Sequence, residues 1–352
     1  MDEVSAARAL VEERFPEASM AFLAANEART ATSDLDVVVV LPGLGLPYRS
    51  SVRWRGWPVE LFVHGETSLA AYLERDFARR QPSLPRMCGF GEVLADASGR
   101  AKGLQELLRR RVEAGPGPSD LDGRRYGLTD LLDDLTGGGD PAEQAMVRWR
   151  IVESSARLAL AAAGRWEGTG KWLVRELRAL DPSLADALLS AHDDPVRLAA
   201  VAGGVLEGAG GRLWEGYHAD GDPFHQRLQH ITPGDLSSET AQSSGMHRLA
   251  AVRGSNRLWM GQTRVAPSTA SADHHHGDSE TAIYVVSGTP RFVFLEAGEE
   301  VRLETEPGDY IFVPPYVPHR EENPDPSQEA VVVIARSTRE AIVVNLPDLR
   351  LP

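Results

Sequence analysis

Two histidines separated by one residue, and a third much later in the chain, constrain how the last third of this chain folds. The segment reads His274-His275-His276, a carboxylate follows at Glu280, and the next histidine is His319. Alternate residues of a strand point the same way, so His274 and His276 are expected to share a face from which His275 points away. Three imidazoles and a carboxylate suit iron, manganese, nickel or zinc, with positions left open for substrate. We therefore expect a fold that brings these side chains together around one divalent metal.

The charge balance of the chain narrows the class of its partners. The 352 residues include 51 acidic and 37 basic side chains, which gives a formal net charge of −14. Nucleic-acid affinity comes mainly from neutralising phosphates, so this acidic surplus argues against a nucleic-acid binder. Small polar molecules are the expected substrates.

Cysteine content and apolar runs indicate the compartment. Cys88 is the only cysteine, which rules out an intrachain disulfide and a cysteine-based zinc cluster. The acidic, amphipathic N-terminal segment is unlike a signal peptide. No apolar run reaches the roughly 18 residues that a membrane span needs. We expect a cytoplasmic protein without a membrane partner.

Hydrophobic patterning divides the chain into three regions. Residues 1–110 combine helical spacing with a buried apolar strand at 36–41, which predicts an α/β domain. Residues 111–225 keep helical spacing and predict an α-helical accessory domain, in which Asp140 caps the helix that starts at the following proline. Residues 230–352 consist of short strands between turn residues, which predicts an all-β barrel or sandwich. The predicted strands are 259–265, 281–286, 291–295, 310–313, 330–334 and 342–344.

Four residues near the C-terminus follow one another at intervals of six, five and four positions: Gly308, Pro314, His319 and Asn323. Together with the preceding histidine pair they resemble the cupin superfamily, whose motifs are a His-x-His…Glu…Gly segment and a Gly…Pro…His…Asn segment. Tyr316 stands where glycine is common in the second motif. The resemblance covers the C-terminal third of the chain and implies a small antiparallel β-barrel of the jelly-roll, or double-stranded β-helix, type.

The first cupin motif fits less closely. Glu280 lies one residue farther from Gly288 than is usual, and a one-residue slip turns a strand residue to the opposite face. Glu280 must then sit in the turn before the strand, or a bulge must restore its direction. The resemblance implies that a transition metal is held by His274, His276, Glu280 and His319.

A second candidate site lies near the N-terminus. Asp34 and Asp36 alternate along one strand and share a face, and Glu60 lies in another short strand. Three carboxylates on adjacent strands can hold Mg²⁺ ions bound to a nucleoside triphosphate. The pattern resembles the nucleotidyltransferase superfamily that includes the aminoglycoside adenylyltransferases. The resemblance implies that Asp34, Asp36 and Glu60 are catalytic and that the helical region closes over an acceptor.

The turn before this strand departs from the nucleotidyltransferase pattern. Where that family has glycines, this chain has Asn26, Glu27 and Arg29. A Cβ obstructs the approach of backbone N–H groups to phosphates, and Glu27 would repel them. Asn26 can partly replace a serine hydroxyl, and Arg29 can pair with a phosphate. Lys171, which follows a glycine turn at a helix start, is a further candidate phosphate ligand.

The two candidate sites predict a two-module metalloenzyme of small-molecule metabolism. One module is a metal-dependent cupin, with a dioxygenase or isomerase reaction left open; the other transfers a nucleoside monophosphate from a nucleotide to a small polar acceptor. The alternative is a binding or sensor protein, in which a dead transferase scaffold is fused to a ligand-binding cupin. Cupin barrels often pair edge to edge, which implies a homodimer.

Overall fold

The computed structural model describes the chain from Met1 to Leu349 apart from short gaps. The positions outside the described residues are 26–29, 31, 222–227, 241, 243–244, 256, 297, 339–341 and 350–352. Asn26 and Arg29, the predicted phosphate-binding residues, therefore lie outside the described residues. Within the described ranges, no helix is both long enough and apolar enough to span a bilayer.

Among its described residues, the first region contains a mixed five-stranded sheet and four helices. Their bounds are α1 (Glu3–Arg14), β1 (Met20–Leu23), β2 (Leu35–Val40), β3 (Tyr48–Trp54), β4 (Trp57–His64), α2 (Glu66–Ala78), α3 (Ser83–Phe90), β5 (Glu92–Ala95) and α4 (Ala101–Ala114). The strands stand in the order β3-β4-β2-β1-β5. Strands β2 and β4 run parallel, whereas the other neighbouring pairs are antiparallel.

Strand β2 lies at the centre of this sheet and is buried on both faces. Val37 and Val39 pack in a cluster with residues of α1, whereas Val38 and Val40 pack in a cluster with residues of α2, α3 and α4. A strand between two helical layers has no solvent-facing side, so its sequence is a continuous apolar run. This position explains the four consecutive valines.

In the part of the second region that the structure describes, five helices surround one apolar core. Their bounds are α5 (Asp122–Gly137), α6 (Pro141–Ala162), α7 (Lys171–Leu180), α8 (Pro182–Ser190) and α9 (Pro195–Gly208). Helices α6, α8 and α9 each begin with a proline preceded by an aspartate whose carboxylate accepts backbone N–H groups. The predicted cap at Asp140 is confirmed, since its carboxylate accepts the N–H of Ala142 at 2.9 Å.

The loop between α6 and α7 reaches back into the first region. The side chain of Trp166 is buried in the same cluster as Phe77 of α2 and Leu108 of α4. Its indole N–H donates to the carbonyl oxygen of Val112 at 2.7 Å. The indole therefore belongs to the core of the first region although it follows the second helix of the helical region in sequence.

The next residue, Glu167, connects the same two regions through hydrogen-bonded ion pairs. It is 3% exposed, and its carboxylate accepts hydrogen bonds from Arg80 at 3.0 Å, Arg124 at 2.8 Å and Arg157 at 3.1 Å. Arg80 follows α2, whereas the other two arginines lie on α5 and α6. A buried carboxylate requires such partners to compensate for its lost hydration. We call these four residues the Glu167 cluster.

The third region consists of two antiparallel sheets. Their strands are β6 (Met246–Val252), β7 (Trp259–Val265), β8 (Thr269–Ala270), β9 (His274–His275), β10 (Thr281–Ser287), β11 (Arg291–Glu296), β12 (Glu299–Glu304), β13 (Tyr310–Val313), β14 (His319–Asn323), β15 (Ala330–Arg336) and β16 (Val344–Asn345). One sheet has the order β13-β10-β15-β7-β6 and the other β12-β11-β14-β9-β16, with β8 beside β14. A short 3₁₀ turn, Pro233–Asp235, precedes them.

The inner faces of these sheets share one apolar core. Ile283, Val285 and Ile334 of the first sheet pack in one cluster with Phe292 of the second. Along β15 every second residue is buried, as expected when one face of a sheet packs on another. The predicted all-β character of the C-terminal region is confirmed.

Candidate metal centre

Three histidines meet on the inner face of the second sheet. His319 on β14 pairs directly opposite His274 on β9, and His276 follows two residues later. The ring centroids of His274 and His319 are 4.4 Å apart, and that of His276 lies 5.1 Å from the first and 4.7 Å from the second. All three side chains are buried. The structure thus brings together the three histidines that the sequence predicted as ligands.

A carboxylate on β14, the strand that carries His319, completes the cluster. Glu321 lies two residues after His319, and alternate residues of β14 are buried, so both side chains face inward. One ligand atom from each of His274, His276, His319 and Glu321 lies within 4.8 Å of the other three. We call these four residues the metal cluster.

Glu280, which the sequence predicted as the carboxylate ligand, lies outside the metal cluster. Its side chain is exposed, whereas Thr281 and alternate residues after it on β10 are buried. The extra residue before Gly288 therefore turns Glu280 outward, and the register irregularity between Val285 and Ser287 of β10 does not restore its direction. Thr281 takes the inward position, with its hydroxyl 2.9 Å from Nδ1 of His276. The structure thus places Glu321, and not Glu280, beside the three histidines.

Backbone carbonyls set the protonation of two of the rings. Nδ1 of His274 lies 2.8 Å from the carbonyl oxygen of Ala272, and Nδ1 of His319 lies 2.9 Å from that of Val317. A carbonyl oxygen only accepts, so both Nδ1 atoms carry the proton. The Nε2 atoms of both rings therefore present a lone pair.

His276 adopts the same tautomer through a different partner. Its Nε2 lies 2.9 Å from a guanidinium nitrogen of Arg336. A guanidinium only donates, so this Nε2 is the acceptor, and Nδ1 carries the proton that faces Thr281. All three histidines consequently have a lone pair on Nε2.

Burial keeps these histidines in the neutral form. Desolvation lowers the pKa of His319 to about 4 and also lowers the pKa of His274. The pKa of His276 is lowered by desolvation and then by the positive charge of Arg336. Neutral imidazole is the form that binds metals. At neutral pH the cluster therefore offers three unprotonated nitrogen donors.

The donor atoms of the cluster fit a metal ion. Nε2 of His274, Nε2 of His319 and Oε1 of Glu321 are buried, and none has a hydrogen-bond partner among the residues that the structure describes. Unpartnered buried polar atoms are costly, so three of them around one point call for a ligand. Imidazole nitrogens with a carboxylate oxygen suit a divalent transition metal.

Two buried arginines next to the metal cluster had not been predicted from the sequence. Arg248 on β6 and Arg336 on β15 are each 1% exposed. Burial lowers the pKa of both, that of Arg336 to about 10, and the charge of Glu321 opposes this shift. Polar side chains therefore line the inner face of both sheets at this level of the barrel.

His275 and Tyr316 lie on the other side of β9. Nδ1 of His275 accepts the N–H of Gly277 at 2.9 Å, and its ring centroid is 5.5 Å from that of Tyr316. His275 thus points away from the metal cluster, as strand alternation predicts. Tyr316 has a φ of 60°, in the left-handed region that favours glycine. This backbone conformation explains why glycine is common at this motif position.

We expect the Tyr316→Gly variant to be more stable than Tyr316→Ala by about 1 kcal/mol. Both substitutions remove the ring beside His275, but only glycine adopts a positive φ without strain. Chemical denaturation of the two variants side by side measures the difference. Equal free energies of unfolding would show that the backbone at this residue is not strained.

The three N-terminal carboxylates also come together. Asp36 on β2 pairs in parallel register with Glu60 on β4, and one oxygen each of Asp34, Asp36 and Glu60 lies within 4.8 Å of the other two. Burial, followed by the charges of Asp34 and Glu60, raises the pKa of Asp36 to about 6. Lys171, the first residue of α7, is exposed and close enough to Asp36 to oppose that shift. A role for these residues in nucleotidyl transfer stays a prediction.

Part of the C-terminal region matches a known family model. Residues 261–335 match the family model described as Cupin domain. The chain is similar to the polyketide cyclase RemF from Streptomyces resistomycificus, with 20% identity over 34% of this chain and 86% of that chain and a TM-score of 0.29.

The chain is also similar to oxalate decarboxylase from Bacillus subtilis, a protein with Mn(II) centres. The identity is 22% over 31% of this chain and 29% of that chain, with a TM-score of 0.28. Similarity at this level does not extend to a shared activity. No curated protein matches the sequence. On the family match, residues 261–335 of this chain are a cupin domain.

Proposed function

We propose that the cupin domain binds one divalent transition metal through His274, His276, His319 and Glu321 and acts on a small molecule. The observation that carries this proposal is the approach of four buried donor atoms to within 4.8 Å of one another. Iron, manganese, nickel and zinc all suit this donor set. When bound, such an ion supplies Lewis-acid or redox chemistry at the positions that the protein leaves open.

The residues around the metal cluster prepare it for the ion. The carbonyl oxygens of Ala272 and Val317 orient two imidazoles, so neither ring has to turn or lose a proton on binding. The pairing of β14 with β9 sets the separation between His319 and His274. Preorganised ligands of this kind favour tight binding, because little conformational freedom is lost.

Elemental analysis of protein purified without a histidine tag tests the proposed metal centre. We expect roughly one ion per chain in the wild type and very little in His319→Ala. His247→Ala is the matched control, because His247 lies on β6 of the same C-terminal region with an exposed side chain. Equal metal contents in the two variants would contradict the proposal.

A second candidate function belongs to the first region. We propose that it transfers a nucleoside monophosphate to a small polar acceptor with Mg²⁺, using Asp34, Asp36 and Glu60 as the catalytic carboxylates. The mutual approach of these carboxylates to within 4.8 Å favours this function, because two or three carboxylate oxygens at such spacing suit Mg²⁺. Lys171 is positioned to contribute a positive charge near the phosphates.

Thermal unfolding with nucleoside triphosphates tests this second function. At a nucleotide concentration of about 100 times Kd, ligand binding adds about 2.7 kcal/mol to the free energy of unfolding. We expect such a stabilisation of the wild type in the presence of Mg²⁺ and its loss in Asp36→Asn. If no nucleotide stabilises the wild type, the alternative is favoured, namely a dead transferase scaffold joined to a ligand-binding cupin.

The homodimer and the cytoplasmic location stay predictions. One observation supports the homodimer: Tyr284, Tyr310 and Phe312 are exposed together on the outward face of β10 and β13. Exposed apolar groups of this kind are typical of surfaces that pack against another chain. We therefore keep a second copy of this chain as the proposed partner of that face.

A further inference from the structure

A buried positive charge lies directly beside the metal cluster. Arg336 is the last inward-facing residue of β15 and is 1% exposed. It pairs opposite Thr281 on β10 and Trp259 on β7, so its guanidinium lies between the two sheets. A charge removed from water is stable only when ionised or strongly polar partners replace its hydration. The partners of Arg336 therefore indicate what this part of the barrel holds.

Among the described residues, Arg336 hydrogen-bonds only to neutral groups. One terminal nitrogen lies 2.9 Å from Nε2 of His276, the other donates to the carbonyl oxygen of Ile342 at 3.0 Å, and Nε is buried without a partner. No carboxylate oxygen in the described part of the chain lies within the 4.0 Å of an ion pair with it. Glu321 and Arg248 act on its charge only from farther away. The guanidinium thus has an unfilled requirement for an anion.

The bond between Arg336 and His276 uses the lone pair that a metal would need. The imidazole has one lone pair, on Nε2, because Nδ1 carries the proton. A metal bound by His276 therefore displaces the guanidinium from that nitrogen. The displaced group then has two nitrogens without an acceptor and lies next to a divalent cation, so the local demand for negative charge rises.

We propose that the barrel takes a small oxyanion, a carboxylate or a phosphate, on Arg336, and that metal binding creates this site by displacing Arg336 from His276. This inference rests on the proposed metal centre and names its ligand class. The four side chains of the metal cluster are at most 3% exposed. Because the site is this enclosed, the ligand is a small one. A guanidinium binds such an oxyanion through two parallel hydrogen bonds.

The proposal predicts coupling between the two ligands. Coupling of binding free energies is reciprocal, so a metal that tightens oxyanion binding is itself bound more tightly in the presence of the oxyanion, by the same factor. We expect a factor of about 10 or more. Arg336→Met is expected to have opposite effects: it weakens oxyanion binding but tightens metal binding, because the competitor for Nε2 of His276 is gone. A general loss of structure would weaken both.

Calorimetric titration of the full-length protein tests this coupling. Co²⁺ is first titrated alone into metal-free wild type, Arg336→Met and Arg336→Lys. Acetate, inorganic phosphate and acetamide, a neutral analogue of acetate, are then titrated into the metal-free and Co²⁺-loaded proteins. We expect acetate or phosphate to bind the loaded wild type about 10-fold more tightly than the metal-free protein, and acetamide to show no such gain. The acetate and phosphate arms identify which oxyanion is preferred.

The variants separate the possible failures. Arg336→Lys keeps the positive charge without the paired donors, so it is expected to retain part of the coupling, and its thermal unfolding checks that the barrel is folded. If loaded wild type and loaded Arg336→Met bind acetate and phosphate equally, Arg336 is not the oxyanion site and this inference fails while the metal centre stands. If Arg336→Met weakens Co²⁺ binding, Arg336 is a structural support and the inference also fails. If Co²⁺ does not bind the wild type, both the proposed metal centre and this inference fail.

Discussion

Replacing Glu321 with glutamine is expected to weaken metal binding about 100-fold, which corresponds to about 2.8 kcal/mol. Glutamine keeps the shape of the side chain but removes the negative charge that faces the ion in a buried site, where charges interact strongly. Competition between the metal-free protein and a coloured chelator for Zn²⁺ or Co²⁺ measures the change in Kd.

Glu280→Gln is the matched control for this prediction. Both positions carry the same side chain within the same domain, but Glu280 is exposed and Glu321 is 3% exposed. We expect the Kd of Glu280→Gln to equal that of the wild type. A loss of affinity in Glu280→Gln with no change in Glu321→Gln would return the ligand to the position that the sequence indicated. Thermal unfolding of the metal-free variants shows whether Glu321 also supports the fold.

Glu167→Gln is expected to lower the free energy of unfolding by about 3 kcal/mol. The carboxylate is the common acceptor for Arg80, Arg124 and Arg157. Glutamine retains one oxygen but no negative charge, so three partly buried guanidinium groups lose their shared counter-charge. Urea denaturation followed by tryptophan fluorescence measures the loss, since Trp166 lies next to the substituted residue.

Glu153→Gln is the matched control, because it also removes a carboxylate that pairs with Arg157. Glu153 pairs with Arg157 on the surface of α6, with its side chain 48% exposed. Exposed pairs contribute little, so the expected loss is below about 1 kcal/mol. If the two substitutions cost the same, burial of the Glu167 cluster has no energetic effect and the proposed role of Glu167 is wrong.

Hydrophobic alternation was sufficient to predict most of the strands that carry the apolar core, although it missed β6, which contributes Ala250. The pattern predicts strands at 259–265 and 310–313, and the structure has β7 and β13 with these bounds. Strand β14 was not predicted, because its inward residues are His319, Glu321 and Asn323. Where a strand carries the site, polar side chains replace the apolar ones that alternation relies on.

The sequence nevertheless contained a signal from which Glu321 could have been predicted as a neighbour of His319. It lies two residues after His319, so any strand that contains the histidine places both side chains on one face. The family pattern indicated Glu280 instead, and the one-residue offset from Gly288 was the sign that this carboxylate faces outward. Arg336 had no comparable signal, since its approach to His276 depends on how two distant strands are paired across the barrel.

The N-terminal carboxylates depended on a pairing that sequence alone does not specify. Asp34 and Asp36 share a face by alternation, but Glu60 joins them only because β4 lies beside β2 in parallel register. Strand β3, which precedes β4 in sequence, pairs with β4 on its other edge. Non-local strand pairing of this kind is decided by the burial of whole faces and not by local patterns.

The position of Trp166 has a practical consequence for dividing this chain into fragments. A fragment that stops at residue 110 would leave an open apolar socket where the indole packs between α2 and α4. A fragment that starts after residue 110 would carry Trp166, without its apolar partners, on the loop before α7. Both pieces would expose apolar surface and are expected to aggregate during expression. A cut between α9 and β6 avoids this, since it leaves the socket and its tryptophan in one piece.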